Sequence, residues 1–133
     1  MFLGSYRPSF DLKTRRIALP KKIRSELAGN ETILSFGFEK CIFGYEVQTW
    51  ESNSANELQK PVTDRDARNN RRFLFSGAER IELDAQGRLV VPGPLLDFAE
   101  IKEAYVIGAG DHFEIWDRIG WEKHKKSLTG DAK

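Results

Sequence analysis

The chain of 133 residues carries 21 Lys+Arg against 20 Asp+Glu, a formal net charge of +1, with 40% hydrophobic and 31% charged residues. That balance fits a folded chain of one domain or two half-sized units and excludes a polybasic nucleic-acid coat. It leaves open a compact fold with one basic face, because net charge hides how charge is arranged.

Residues 2–7 and 14–19 read as short strands, the second with Ile17 and Leu19 alternating. Pro20 suits a helix start, Ile23 and Leu27 give that short helix one buried face, and Gly29-Asn30 ends it. Strands at 32–36 and 41–45 follow around a turn at 37–40. Residues 50–59 and 63–75 read as helices separated by Pro61. Thr63 is the expected cap of the second, with Asp64 and Asp66 in its first turn, Arg71 and Arg72 later, and Ser76-Gly77 as its stop. Strands near 80–83 and 88–91, a helix at 92–99, strands near 104–108 and 112–116, and a helix at 121–128 complete the chain. Residues 129–133 are expected to fray.

The second half repeats the first. Phe10-Asp11-Leu12-Lys13-Thr14-Arg15 followed by Ile17-Ala18-Leu19-Pro20 echoes Leu83-Asp84-Ala85-Gln86-Gly87-Arg88 followed by Leu89-Val90-Val91-Pro92. The echo continues through Ile23/Leu95, Ile33/Tyr105 and Leu34/Val106, then Tyr45/Trp116, Glu46/Asp117 and Trp50/Trp121. The offset drifts from 73 to 71, which requires two one-residue length changes, expected in loops. Two copies make a pseudo-twofold unit; a solenoid needs at least three repeats. The division expected is a first repeat at 5–48, a helical connector at 49–76, a second repeat at 77–120 and a C-terminal helix and tail at 121–133.

Charge differs between the copies. Residues 1–76 hold 13 basic and 9 acidic side chains, and residues 77–133 hold 8 basic and 11 acidic. Before residue 25, Arg7, Lys13, Arg15, Arg16, Lys21, Lys22 and Arg24 face a single acid, Asp11. Arginine can bind a guanine edge with both arms of its planar fork, whereas lysine serves phosphates without reading sequence. Lys13, Lys21 and Lys22 therefore read as phosphate neutralisers and Arg15, Arg16 and Arg88 as candidate base readers. Asp11 and Asp84 read as residues that hold a turn or orient the arginine. Counted forward from the aspartate, Arg15 matches Arg88; counted back from the proline, Arg16 does. Both stand as candidates, and the first hairpin is expected to carry a bulge or altered turn. Tyr45, Trp50, Trp116 and Trp121 read as core or subunit contacts, and Arg65, Arg68, Arg71 and Arg72 as one flank of a helix.

Other chemistries find little support. Cys41 cannot form an internal disulfide, and with two histidines the chain falls short of a four-ligand zinc set. Cys41 sits in an apolar strand, His112 and His124 lack an evident nucleophile, and Gly108-x-Gly110 lacks the third glycine of a dinucleotide site. No catalytic residue, metal, cofactor or small-molecule substrate is expected. The apolar runs are far shorter than the roughly 20 residues that span a bilayer, so no membrane association and a cytoplasmic location are expected.

The opening Met1-Phe2-Leu3-Gly4, the paired Asp-x-x-x-Arg motifs, Phe75-Ser76-Gly77-Ala78-Glu79 and Phe113-Glu114-Ile115-Trp116-Asp117 with Trp121 together resemble the MraZ family of bacterial transcription regulators. These are tandem SpoVT/AbrB-like domains. The resemblance implies an α+β fold, mainly β with short helices: a pseudo-dimeric, swapped-hairpin β-barrel with flanking helices. It implies a ring-like homo-oligomer that binds direct repeats in promoter DNA upstream of the division and cell-wall gene cluster, usually as a repressor, and a nucleoid-associated protein. The family's DNA-contact motif maps onto Asp11-x-x-x-Arg15 and Asp84-x-x-x-Arg88, with Thr14 where the pattern expects glycine. A partner-binding ring without specific readout and an antitoxin-like regulator are the alternatives.

Overall fold

The computed structural model describes residues 1–130 and has an α+β fold. In chain order it comprises β1 (Ser5–Tyr6), β2 (Phe10–Asp11), β3 (Arg16–Ala18), α1 (Lys21–Arg24), β4 (Glu31–Phe36), β5 (Ile42–Tyr45), α2 (Val47–Gln59) and α3 (Arg65–Ser76). The second half adds β6 (Glu79–Glu82), β7 (Arg88–Val90), α4 (Gly93–Ala99), β8 (Ala104–Gly108), β9 (Phe113–Asp117) and α5 (Arg118–Thr129). Of the tail expected to fray, residues 131–133 lie outside the described residues.

All strand pairings are antiparallel, and the two copies interleave. One sheet runs β1-β8-β9-β5-β4-β6, so the first strand of each copy pairs with the other copy's β4 or β8. The second sheet, β2-β3-β7, joins the copies directly. Phe43 faces Glu114 across β5–β9, and Ile17 faces Leu89 across β3–β7. Each pair consists of equivalent residues, so the pseudo-twofold axis passes through both.

One core lies beneath both sheets. Ile17, Ile23, Leu34, Ile42 and Phe113 from the two copies pack with Leu89, Val91, Leu95 and Val106, all effectively sealed from solvent. Leu27 is buried with them, as its spacing from Ile23 requires. A second cluster on the other face of the large sheet holds Cys41, Phe43, Ile107 and Trp116, flanked by Tyr45, Tyr105 and Trp121.

Twin hydrogen bonds locate both length changes. Leu19 N–H donates to Gly87 O (3.2 Å) and Val91 N–H to Arg15 O (2.8 Å), which makes Arg15 the positional equivalent of Gly87. Both are left-handed, with φ of 60° and 77°. The extra residue therefore lies within the first turn, between Asp11 and Arg15. The second change falls in the next turn, where Gly37 N–H to Cys41 O and Ala109 N–H to His112 O (both 2.9 Å) close loops that differ by one residue.

Helix starts differ from the sequence expectation for definable reasons. Glu46 accepts the Thr49 N–H and Asp117 the Gly120 N–H, so α2 and α5 each begin three residues before their tryptophan. Helix α3 is capped by Asp64 rather than Thr63, its carboxylate accepting from Ala67 N–H at 3.0 Å. The strand expected at 2–7 is broken by Gly4 at φ +92°, leaving β1 and an isolated bridge between Phe2 and Gly110.

The second cluster contains a charged chain. His112 Nδ1 lies 2.8 Å from Asp111 Oδ1, its Nε2 lies 2.8 Å from Glu114 Oε2, and Trp116 Nε1 donates to Glu114 Oε1 at 2.8 Å. The Phe43 and Tyr45 rings pack on the imidazole, and Asn53 of α2 donates to Asp111. Burial alone would lower the His112 pKa, but hydrogen bonds and charge from Glu114 and Asp111 outweigh it and raise the value.

Two expectations follow. A left-handed residue with a Cβ costs roughly 1–2 kcal/mol; Arg15→Gly should therefore raise stability by about 1 kcal/mol in urea unfolding. For His112, stabilisation is complete below the ordinary imidazole pKa of about 6.5 and is lost as pH rises through the raised value. The melting temperature should fall as the pH rises above about 6.5, and His112→Gln should flatten that fall.

Candidate nucleic-acid interface

Strand alternation sorts the β3–β7 ribbon into two faces. Ile17 (0% exposed) and Leu89 (1%) point into the core. Their neighbours point outward: Arg16 opposite Val90, and Ala18 opposite Arg88. Arg16 and Arg88 are exposed on this shared face and Val90 is 39% exposed between them. As diagonal cross-strand neighbours, the arginines stand about 7–8 Å apart at the backbone. Each opens its strand, so Arg16, not Arg15, is the positional counterpart of Arg88. Arg15 sits instead in the turn, its guanidinium against Gly93 of α4.

The two aspartates do related work with one difference. Asp11 Oδ1 accepts from the backbone N–H of Lys13 (2.9 Å) and Thr14 (3.4 Å), which holds the longer turn. Arg16 N–H is taken by Thr14 Oγ1 at 3.4 Å. In the shorter turn, Asp84 Oδ1 accepts from Gln86 N–H and Arg88 N–H, each at 2.9 Å, while Oδ2 accepts from Arg88 Nε at 2.9 Å. The Arg88 backbone N–H is the main influence holding the Asp84 carboxyl below its ordinary pKa; desolvation opposes it, and the Arg88 side chain and Gln86 N–H add to it. Asp84 thus orients its arginine, whereas Asp11 only holds its turn. The inserted residue is the cause.

The remaining sequence candidates are brought near this ribbon. Lys13 is exposed on the first turn, and Lys21 and Lys22 are exposed on α1, which Pro20 starts directly after β3. Among the described residues, the side chains of Lys13, Arg15, Arg16, Lys21 and Lys22 form no hydrogen bond or ion pair. Sequence reasoning counted Arg24 in the basic cluster but assigned it no role at the site. It lies one helical turn from Lys21, donates to Leu19 O at 3.0 Å, and its side chain covers the buried Gly87 of the other copy. The i, i+3 spacing on one helix face was the available signal.

The α3 arginines are engaged differently. Arg71 donates to Glu57 O (3.1 Å) and Leu58 O (2.9 Å), satisfying carbonyls at the end of α2. Arg68 donates to Val62 O (2.9 Å) and Thr63 O (3.2 Å), and Arg72 to Asn69 Oδ1 (3.1 Å). Two of these four guanidiniums therefore brace the α2–α3 connection. Burial, with the carboxylates of Glu114 and Glu39, pushes the Cys41 thiol well up, which leaves it protonated and inert. Among the described residues, no group of three or more His, Cys, Asp and Glu could hold a metal ion. Nor is any described helix long and apolar enough to cross a membrane.

Comparison with known proteins adds an independent line. The family model described as "MraZ protein, putative antitoxin-like" matches the chain twice, over residues 1–73 and 74–131. A protein of Acetivibrio thermocellus named transcriptional regulator MraZ is 39% identical over 132 residues, which covers 98% of this chain and 88% of that protein. A protein of Alkaliphilus oremlandii with the same name is 42% identical over 125 residues, covering 93% of this chain and 86% of its own length. With both halves matched by one family model and relatives aligned over nearly the full length, the chain belongs to the MraZ family.

Proposed function

We propose that the chain is a DNA-binding transcriptional regulator that reads promoter direct repeats through the outward face of β3–β7. The observation that carries this reading is the pair Arg16 and Arg88, side by side on one exposed two-stranded ribbon. A B-DNA major groove, about 12 Å wide, admits such a ribbon, and each arginine can grip a guanine O6/N7 edge. Their separation of about 7–8 Å spans about two base steps of 3.4 Å. Because a pseudo-twofold relates them, they would meet guanines on opposite strands. Lys13, Lys21 and Lys22, whose side chains have no partner among the described residues, supply phosphate contacts.

In this reading several copies form a ring-like homo-oligomer, and tandem sites are held by avidity. Its target is the division and cell-wall gene cluster, and its effect there is repression by a nucleoid-associated, cytoplasmic protein. Binding needs no cofactor. The relatives bear the name of transcriptional regulators, which supports a binding protein rather than an enzyme. The antitoxin-like description of the family model favours a toxin-binding alternative. Against it stands the second half of the chain, folded as another copy rather than left as a toxin-wrapping tail.

A mobility-shift titration on duplexes carrying direct repeats from the promoter of the protein's own gene cluster, at several salt concentrations, tests the reading. Arg16→Ala and Arg88→Ala should each weaken specific binding by about 5- to 150-fold, the equivalent of about 1–3 kcal/mol, with the fold and assembly intact. Arg15→Ala should cost much less. Equal affinity of the wild type for a scrambled duplex would overturn specific readout and favour the partner-binding ring.

A further inference from the structure

The second hairpin has no lysine of its own, and its turn residues Ala85, Gln86 and Gly87 are uncharged, whereas the first carries Lys13 and Arg15 in its turn. Interleaving of the copies changes that balance. A cleft of about 290 Å³ lies between α1 of the first copy and the second copy's turn, and Lys21, Arg24 and Ser25 line it on one side, Asp84, Ala85 and Gly87 on the other. Arg24 is packed so closely on this turn that a Cβ added to Gly87 would lie 2.5 Å from its Cδ, Nε and Nη1.

The twofold-related junction, between the first turn and α4, is built the other way round. There the turn supplies the arginine, Arg15, and the helix supplies the glycine, Gly93. Helix α4 contains no cation, and its one charged residue is Asp97. Each turn–helix junction thus holds one guanidinium, and the exposed lysine beside it stands on the turn at the first junction, as Lys13, and on the helix at the second, as Lys21.

We propose that the second reading hairpin is a composite site: Lys21 and Arg24 of α1 supply the cations that hold a DNA phosphodiester beside Arg88. The one acid lining the cleft does not oppose this. Asp84 gives one oxygen to the Arg88 guanidinium and the other to two backbone N–H groups, so its charge is already matched. Lys21 remains exposed and without a partner among the described residues. Lys21 therefore serves the hairpin of the other copy, not the one that precedes it in sequence. This inference rests on the DNA-binding reading above.

A double-mutant cycle on the full chain tests it, with anisotropy titrations of a labelled promoter-repeat duplex between 50 and 200 mM salt. Lys21→Gln should reduce the wild type's fall in affinity over that range by about threefold, the counterion release of one phosphate contact. Its effect should vanish in an Arg88→Ala background and persist in Arg16→Ala. An effect that persists unchanged with Arg88→Ala, or vanishes with Arg16→Ala, overturns the composite site, as does no effect at all. Lys21 is solvent-exposed on a four-residue helix, so Lys21→Gln should leave the melting temperature of each background unchanged. Failure of the functional reading is a separate result, seen in the wild type as equal affinity for a scrambled duplex. The same cycle on that duplex still decides the Lys21–Arg88 coupling, because phosphate contacts do not depend on sequence.

Discussion

Ile17 and Leu89 face each other across β3 and β7 at the point where the pseudo-twofold axis crosses the ribbon, and both are effectively sealed from water. That contact fixes the rest. A one-residue slip in register would turn every side chain on a strand to the opposite face, so burying this pair forces Arg16 and Arg88 outward together. It also draws each copy's turn against the other copy's short helix, where Arg24 meets Gly87 and Arg15 meets Gly93. Neither half could complete this arrangement alone, since the outer strands β1 and β6 are also paired across the copies.

Within that symmetric frame the copies have diverged in charge and in loop length. The first carries an excess of cations, the second an excess of acids. The added residue in the first turn separates Asp11 from its arginine and leaves the Arg16 side chain without a partner among the described residues, while the shorter second turn keeps Asp84 and Arg88 as a hydrogen-bonded pair. A freely moving arginine must lose more side-chain entropy on binding than one already oriented, but it also loses no internal partner. The two hairpins therefore start from different states while presenting the same chemical group.

Much of this was legible because the repeat shows through the residues. The pairs Ile17/Leu89, Tyr45/Trp116 and Trp50/Trp121 align the copies, and alternation around Ile17 and Leu89 marks the buried face. The choice between Arg15 and Arg16 was not legible, since counts from the aspartate and from the proline disagree by the one inserted residue. Only the twin backbone bonds of Leu19 and Val91 decide which residue takes the left-handed place of Gly87. The α2 start was hidden because its cap is Glu46, a residue outside the usual capping set, and the α3 cap because Thr63 and Asp64 are adjacent candidates. The role of Arg24 was not legible because its partner turn lies more than 60 residues away and belongs to the other copy.

The most direct measurement is a solved structure of the full chain bound to a duplex carrying two of its promoter repeats. The β3–β7 face should lie in the major groove, with the guanidiniums of Arg16 and Arg88 on base edges of opposite strands and Ile17 and Leu89 still buried behind them. A complex in which DNA runs along the α2–α3 helices, with Arg16 and Arg88 facing solvent, would contradict it.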